Sequence, residues 1–340
     1  MPIRPIQQKF MTTPWIANEP VGATPVRDIV PKQVQIGFEG TGRMSERKLV
    51  PMTPAATDLL NGPNREAAHQ FFRGVLGQLD GLEGVTRLDG MSLSTDHNAF
   101  ATNLMMSNID NGFFRDTIST GQVKEFLGDF QLAADQVTGM RAQNSGWLDV
   151  GPRVSGQVLD LIKYGPRAGR EAMDEAGLVL THEIQHSITP IKPTVDRKLL
   201  WLEEVSAEAL AWWPGAAKNL LNDAGVPTAP GYEINPHTAP RNIQASPQYR
   251  NYHKAVLTLL DLAGAPMFDA SGNISQDGTR RARQILQGEN LEQVPKNLAR
   301  AIGSKQGLAP GDVDALTALI ADSGGERASI EAIQQLVARR

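Results

Sequence analysis

The most informative segment of this 340-residue chain is Gly177-Leu178-Val179-Leu180-Thr181-His182-Glu183-Ile184-Gln185-His186. Apolar residues recur at helical spacing around it, and Pro190 marks an end, so one buried or half-buried helix is predicted over residues 171–187. On such a helix, His182 and His186 lie about 40° apart around the axis and about 6 Å apart along it. Their ring nitrogens therefore reach a common metal ion.

Glu183 stands beside the two histidines. It is turned about 100° from His182 around the helix axis, next to the expected ion rather than on it. A general base for a metal-bound water belongs in that place. The alternative is that His182 and His186 are merely structural, but a chance HExxH is expected only about 0.005 times in a chain of this size and composition. The sequence therefore favours a metal site.

A catalytic zinc site takes three protein ligands and leaves the fourth position to water. The second predicted helix, over residues 196–213, offers three acids near its middle. Glu204 and Glu208 are four residues apart and share a face, and Glu204 is predicted as the third ligand. Glu203 is turned by about 100° from Glu204 and is predicted to be solvated. Because the chain has no cysteine, the ligands are nitrogen and oxygen, which favours zinc and also accommodates manganese or cobalt.

These residues resemble the gluzincin branch of the zinc metallopeptidases. After His182-Glu183-x-x-His186 come seventeen residues and then Glu204, within the string Trp201-Leu202-Glu203-Glu204-Val205-Ser206-Ala207-Glu208. That string is similar to one in the aminopeptidase-N-like members. The resemblance implies one zinc ion on His182, His186 and Glu204, with Glu183 as the base. It also implies that Glu208 orients a ligand histidine, as the acid in that place does in thermolysin-like enzymes.

The activity that the resemblance implies is hydrolysis of peptide bonds by a metal-bound water that Glu183 activates. Val205 stands where the family usually has glycine, and no GAMEN-like string precedes the HExxH, so an endopeptidase-like rather than an aminopeptidase activity is expected. Related enzymes stabilise the oxyanion with a tyrosine or histidine from a later helix, and Tyr252 and His253 are the candidates here. The alternative is that these two residues only cap and pack their own helix.

Composition excludes several classes of partner. Charged residues make up 21% of the chain and the net charge is -4, which gives no electrostatic footprint for nucleic acid or an anionic membrane. The first residues have no apolar signal region, and no apolar run is long enough to span a bilayer. The expected location is therefore the cytoplasm or a larger assembly. The expected partner is a peptide or protein substrate, and a cell-wall peptide is one candidate.

Three regions are predicted along the chain. Residues 1–60 contain eight prolines and are predicted to form an extended arm that docks on its own domain or on another subunit. Residues 61–265 are predicted to form a zincin-like catalytic domain, with a helix beginning after Asn64. Between residues 85 and 151 the sequence mixes short glycine-bounded segments, such as 86–88 and 145–150, with helical pieces such as 122–137. Residues 266–340 are predicted to be helical, with three or four amphipathic helices after residue 279.

The resulting fold class is predominantly α with a small β-sheet, in the α+β class. In zincins such a sheet precedes the metal helix, and its edge strand pairs with extended substrate. The segment Phe268–Ser275 is predicted to be a plain turn, because it lacks the glycine and the glutamate of a calcium loop. A second function class stays open, namely an assembly or structural protein, such as a virion or injection-machine component, that keeps a metallopeptidase-like domain.

Overall fold

The computed structural model describes residues 33–40, 43–80, 88–110, 139–142, 146–187, 199–235, 247–286 and 291–338. Helices predominate in it and accompany one small mixed sheet, so the predicted α+β class is confirmed. The chain divides into two units, which are Met1–Glu183 with Leu220–Thr228 and Ile184–Asn219 with Ala229–Arg340. The boundary predicted between residues 265 and 266 falls inside the second unit.

The first unit contains a five-stranded sheet. Its strands are β1 (Gln33–Glu39), β2 (Lys48–Pro51), β3 (Gly90–Ser94), β4 (Gly139–Ala142) and β5 (Trp147–Val150). Their order is β2-β1-β3-β5-β4, with β3 and β5 parallel and the other neighbours antiparallel. The short glycine-bounded segment 145–150 contains β5, whereas residues 86–87 and the helical piece 122–137 lie outside the described residues. Within the described sheet, β2 and β4 form the two edges.

The parallel pair in this sheet is fixed by a glycine and a tryptophan. Gly90 and Trp147 are register partners, and a Cβ added to Gly90 would lie 2.0 Å from the Trp147 ring. The indole therefore lies flat over the glycine backbone, where no other side chain fits. The Trp147 Nε1–H donates a hydrogen bond to the Ser92 Oγ at 2.6 Å. These contacts set the register between β3 and β5.

In the described part of the chain up to residue 187, five α-helices accompany the sheet. They are α1 (Pro54–Asn61), α2 (Arg65–Leu76), α3 (His97–Asp110), α4 (Pro152–Tyr164) and α5 (Arg170–Gln185). Helix α2 begins after Asn64, as predicted, and its apolar face is buried. Phe71 and Phe72 on that face are fully buried and meet edge to face, with ring centroids 5.9 Å apart. Each such ring contributes about 1.5–3 kcal/mol by leaving water.

The prediction of an extended arm is wrong for residues 33–60. They form β1, β2 and α1 instead, and the rest of the arm, residues 1–32, lies outside the described residues. Pro51 ends an edge strand and Pro54 is the first residue of α1, so neither ring removes a needed N–H donor. The Thr53 Oγ1 accepts from the Ala56 N–H at 3.3 Å and donates to the Gln33 carbonyl at 2.7 Å. One hydroxyl thus caps α1 and ties it to β1.

Two helix glycines in this unit should respond oppositely to alanine. A Cβ on Gly74 in α2 would lie 2.2 Å from the Asp223 carbonyl oxygen, whereas a Cβ on Gly156 in α4 would meet nothing within 4 Å. Gly74→Ala is expected to lower the free energy of unfolding by about 1–3 kcal/mol, because the backbone must move apart. Gly156→Ala is expected to raise it by up to about 1 kcal/mol through helix propensity. Urea unfolding of both variants checks the pair, and a stable Gly74→Ala protein would contradict the close approach.

The remaining helices are α6 (Leu200–Ala211), α7 (Ala216–Asp223), α8 (Pro247–Leu262), α9 (Gln276–Leu286), α10 (Gln293–Gln306), α11 (Pro310–Asp322) and α12 (Arg327–Ala338). Helices α9 to α12 confirm the predicted helical C-terminal part. The predicted turn over Phe268–Ser275 is also confirmed, since the Asp269 Oδ1 accepts from the Ser271 and Asn273 N–H groups at 2.8 and 2.9 Å. No helix in the described ranges is both long and apolar enough to cross a bilayer.

Candidate metal centre

Helix α5 and the turn directly after it carry the histidine pair. The helix spans Arg170–Gln185, close to the predicted bounds, and His186 and Ser187 form the turn. The Ser187 N–H donates to the Ile184 carbonyl at 3.0 Å, so the chain keeps winding past His186. Residues 172–184 are all buried, and the charged Asp174 and Glu175 are among them. The side chains near its end are therefore held by packing on all faces.

The polar groups of the HExxH sequence are buried together at the end of this helix. His182 and Glu183 are each 5% exposed and His186 is 7% exposed. One ligand atom from each of the three lies within 4.8 Å of the others, as the helical spacing predicts. Burying ionisable groups is costly unless they are paired or bind a metal. This cluster is thus a candidate for metal binding.

Helix α6 brings two acids to His186. The Nδ1 of His186 contacts the Glu203 Oε1, and its Nε2 lies 3.9 Å from the Glu204 Oε2. Ligand atoms of these three residues also lie within 4.8 Å of one another. The two groups share His186. The structure thus places Glu204 beside a predicted ligand, while the complete set of His182, His186 and Glu204 on one ion stays a prediction.

The prediction that Glu203 is solvated is wrong. The Glu203 side chain is only 6% exposed, whereas the Glu204 side chain is 20% exposed. The 100° turn between them does not lead into water, because α6 is buried on several sides. Its buried residues include Trp201, Leu202, Ser206, Ala207, Ala209 and Ala211. A pattern with apolar residues all around the helix was the available signal for this burial.

The residues around His186 fit a zinc ion. Two ligands bound at about 2.0–2.1 Å in tetrahedral geometry are about 3.3 Å apart. The 3.9 Å between the His186 Nε2 and the Glu204 Oε2 closes to that value with a small side-chain movement. The contact from Glu203 occupies the other ring nitrogen, as is usual for a metal-bound histidine. Nitrogen and oxygen donors without sulfur suit zinc in its catalytic sites.

The edge strand β4 begins against Glu183. A Cβ added to Gly139 would lie 2.9 Å from both the Cγ and the Oε1 of Glu183. Glycine is therefore the residue that leaves room for the carboxylate next to the strand backbone. Nothing in the sequence around Gly139 indicates this approach, because it depends on where β4 lies beside α5. The structure thus adds Gly139 to the site.

Three predicted site residues have side chains outside the described part of the structure. Glu208 lies in helix α6, and Tyr252 and His253 lie in helix α8. The structure describes the backbone at these positions and not the side chains. The role of Glu208 in orienting a histidine and the roles of Tyr252 and His253 at the oxyanion therefore stay predictions.

Comparison of the chain with protein-family models, with curated proteins and with solved structures gives no match in any of the three. Its function is therefore inferred from its own residues and their geometry.

Proposed function

We propose that the chain is a zinc-dependent, endopeptidase-like peptide hydrolase with a zincin-like domain. The observation that carries the proposal is the buried cluster at the end of α5, where the HExxH residues lie together and His186 meets two acids from α6. His182, His186 and Glu204 would hold the ion. Bound zinc would supply a Lewis acid that polarises a carbonyl and lowers the pKa of water.

Glu183 acts as the general base. Its carboxylate is buried and lies beside the start of β4, so it is held in one place without solvent around it. It takes a proton from the attacking water and afterwards gives that proton to the leaving amine nitrogen. This transfer balances the reaction: the water oxygen bonds to the carbonyl carbon as the C=O pair moves onto oxygen, and the C–N bond breaks when that oxyanion re-forms the carbonyl and the amine leaves with the proton. Positioned acid and base groups contribute about 10²–10⁴-fold to such rates.

Strand β4 is the proposed binding element for the substrate backbone. It is an edge in the described sheet, paired with β5 on one side. An extended peptide that adds to its other side gains main-chain hydrogen bonds, as in other cases of strand addition. Because Gly139 at the start of β4 lies against Glu183, a peptide on this edge has its amide bonds near the base. Tyr252 and His253 remain the candidates for donating to the oxyanion.

The proposal is tested by metal analysis of the purified chain together with cleavage of a mixed peptide library. We expect one zinc ion per chain and cleavage inside peptides that is lost on removal of the metal and restored by zinc. Bound zinc without any cleavage would favour the assembly or structural protein instead. Absence of zinc after reconstitution would contradict both the metal centre and the hydrolase.

Gly139→Ala is expected to reduce kcat about 10-fold or more without loss of zinc. The added Cβ displaces the Glu183 carboxylate. A misplacement of a catalytic group by about 1 Å can reduce the reaction rate about 10²-fold. The fold should tolerate the change, since the displaced group is a side chain and not backbone. Steady-state kinetics and zinc content check the outcome. Gly156→Ala, on open space in α4, is the control and should keep full activity.

A further inference from the structure

A cavity of about 720 Å³ opens in the first unit, and the described residues that line it include none of residues 182–186. Residues 62–67, which are the loop after α1 and the first residues of α2, line it together with Gly225. The end of α4 and the turn Gly165–Ala168 that follows it also contribute. Small-molecule sites in proteins occupy about 300–1,000 Å³. The cavity is therefore of the size that an organic ligand needs.

Three cations line this cavity. Arg65 begins α2, Lys163 lies at the end of α4, and Arg167 lies in the turn after it. All three residues are exposed to solvent. The one acid among the described lining residues is Glu66, so the lining carries three positive charges and one negative charge. Cations from two separate segments that share one cavity favour an anionic ligand, because a bound anion offsets their mutual repulsion.

The two arginines of the cavity are not bound by the acids of the protein. Among the described residues, no carboxylate forms an ion pair with Arg65 or Arg167, whereas Arg153 and Arg170 in the same unit pair with acids of α5. A guanidinium group presents its N–H donors in a fixed plane, which matches phosphate through two parallel hydrogen bonds. The donors of Arg65 and Arg167 are thus available to a ligand.

Tyr164 adds an aromatic surface to the same cavity. The residue is 42% exposed, although it is one of the large apolar residues of the chain. The Nζ of Lys163 lies 4.8 Å from the centroid of its ring, and this cation–π contact keeps the ammonium group beside the ring. An exposed ring next to cations suits a ligand that has both an organic part and a charged group.

We propose that this cavity binds a small phosphorylated molecule, with its phosphate among Arg65, Lys163 and Arg167 and its organic part on Tyr164. A phosphate monoester carries nearly two negative charges and three acceptor oxygens, which match the excess of two positive charges in the lining. A carboxylate has one charge and two oxygens and fits less well. The net charge of the whole chain is -4, which disfavours nucleic acid as the source of the phosphate. The site is independent of the proposed metal centre.

Isothermal titration calorimetry on the full-length chain at low ionic strength tests the proposal. The probes are adenosine monophosphate, inorganic phosphate, and adenosine as the uncharged match. We expect adenosine monophosphate to bind with a Kd below about 1 mM, more tightly than inorganic phosphate and at least about 10-fold more tightly than adenosine. No binding of either phosphate at about 10 mM, or equal binding of adenosine and its monophosphate, would overturn the proposal. Equal binding of the two phosphates would overturn the role of Tyr164.

Alanine variants locate the site. Arg65→Ala and Arg167→Ala are each expected to weaken the binding of adenosine monophosphate about 10-fold or more, with an unchanged melting temperature because both residues are exposed. Arg300→Ala, at an exposed position of α10, is the matched control and should bind like the wild type. Wild-type affinity in a folded double variant of Arg65 and Arg167 would overturn the site. Tighter binding of a short single-stranded DNA than of the monophosphate, lost in the same variant, would overturn the small-molecule ligand in favour of nucleic acid.

Discussion

Glu183→Gln is expected to lower kcat for peptide cleavage by about 10³-fold or more while zinc content stays at the wild-type level. Glutamine keeps the size of the side chain but does not take a proton from water, so the general-base contribution is lost. Glu183 is only 5% exposed, so bulk water has little access to its position. Single-turnover kinetics on a peptide found in the library screen measures the effect.

A lower kcat in Glu183→Gln reports on proton transfer only if the variant folds and binds zinc like the wild type. Circular dichroism and metal analysis of Glu183→Gln therefore accompany the kinetics. Glu171→Gln removes an acid from the exposed start of the same helix and should keep the wild-type rate. Cleavage at the wild-type rate by a zinc-loaded Glu183→Gln protein would exclude Glu183 as the base. The hydrolase would then need a different proton acceptor.

Glu204→Ala is expected to weaken zinc binding by more than about 100-fold, beyond the range found for residues that act through a ligand. The loss is expected to be larger than for Glu203→Ala, because Glu204 is the proposed ligand, whereas Glu203 contacts the Nδ1 of His186. Cleavage should fall with the zinc content and recover only partly at high zinc concentration. Chelator competition on both alanine variants measures the difference between these adjacent acids. Equal losses of zinc affinity would contradict this difference, and a larger loss in Glu203→Ala would exchange the roles of the two acids.

The helices of the chain could be predicted well from local pattern. Helix α5 follows the apolar spacing and the end signal in the sequence and begins and ends within a few residues of the prediction, and helix α2 begins directly after Asn64, as predicted. The relation of His182, Glu183 and His186 also follows, since helical geometry alone brings them together. These features depend on residues at most a few turns apart.

The sheet and the surroundings of the histidines were harder to predict, because they depend on contacts between distant segments. The many prolines before residue 60 led to the prediction of an arm instead of β1 and β2. Pro51 and Pro54 do not disrupt these elements, because each stands where no N–H donor is needed. Glu203 has the sequence character of a surface acid, and only the packing around α6 buries it. The approach of Gly139 to Glu183 depends on a strand whose four residues give no distinct local signal.

The short length of β4 has a consequence for solubility. An open sheet edge exposes unpaired backbone groups and invites other chains to polymerise along it. Strand β4 has only four residues, which is shorter than the segments of six or seven that typically build stacked fibres. Within the described sheet, the β4 edge thus offers a place where a strand can add and is too short to template aggregation.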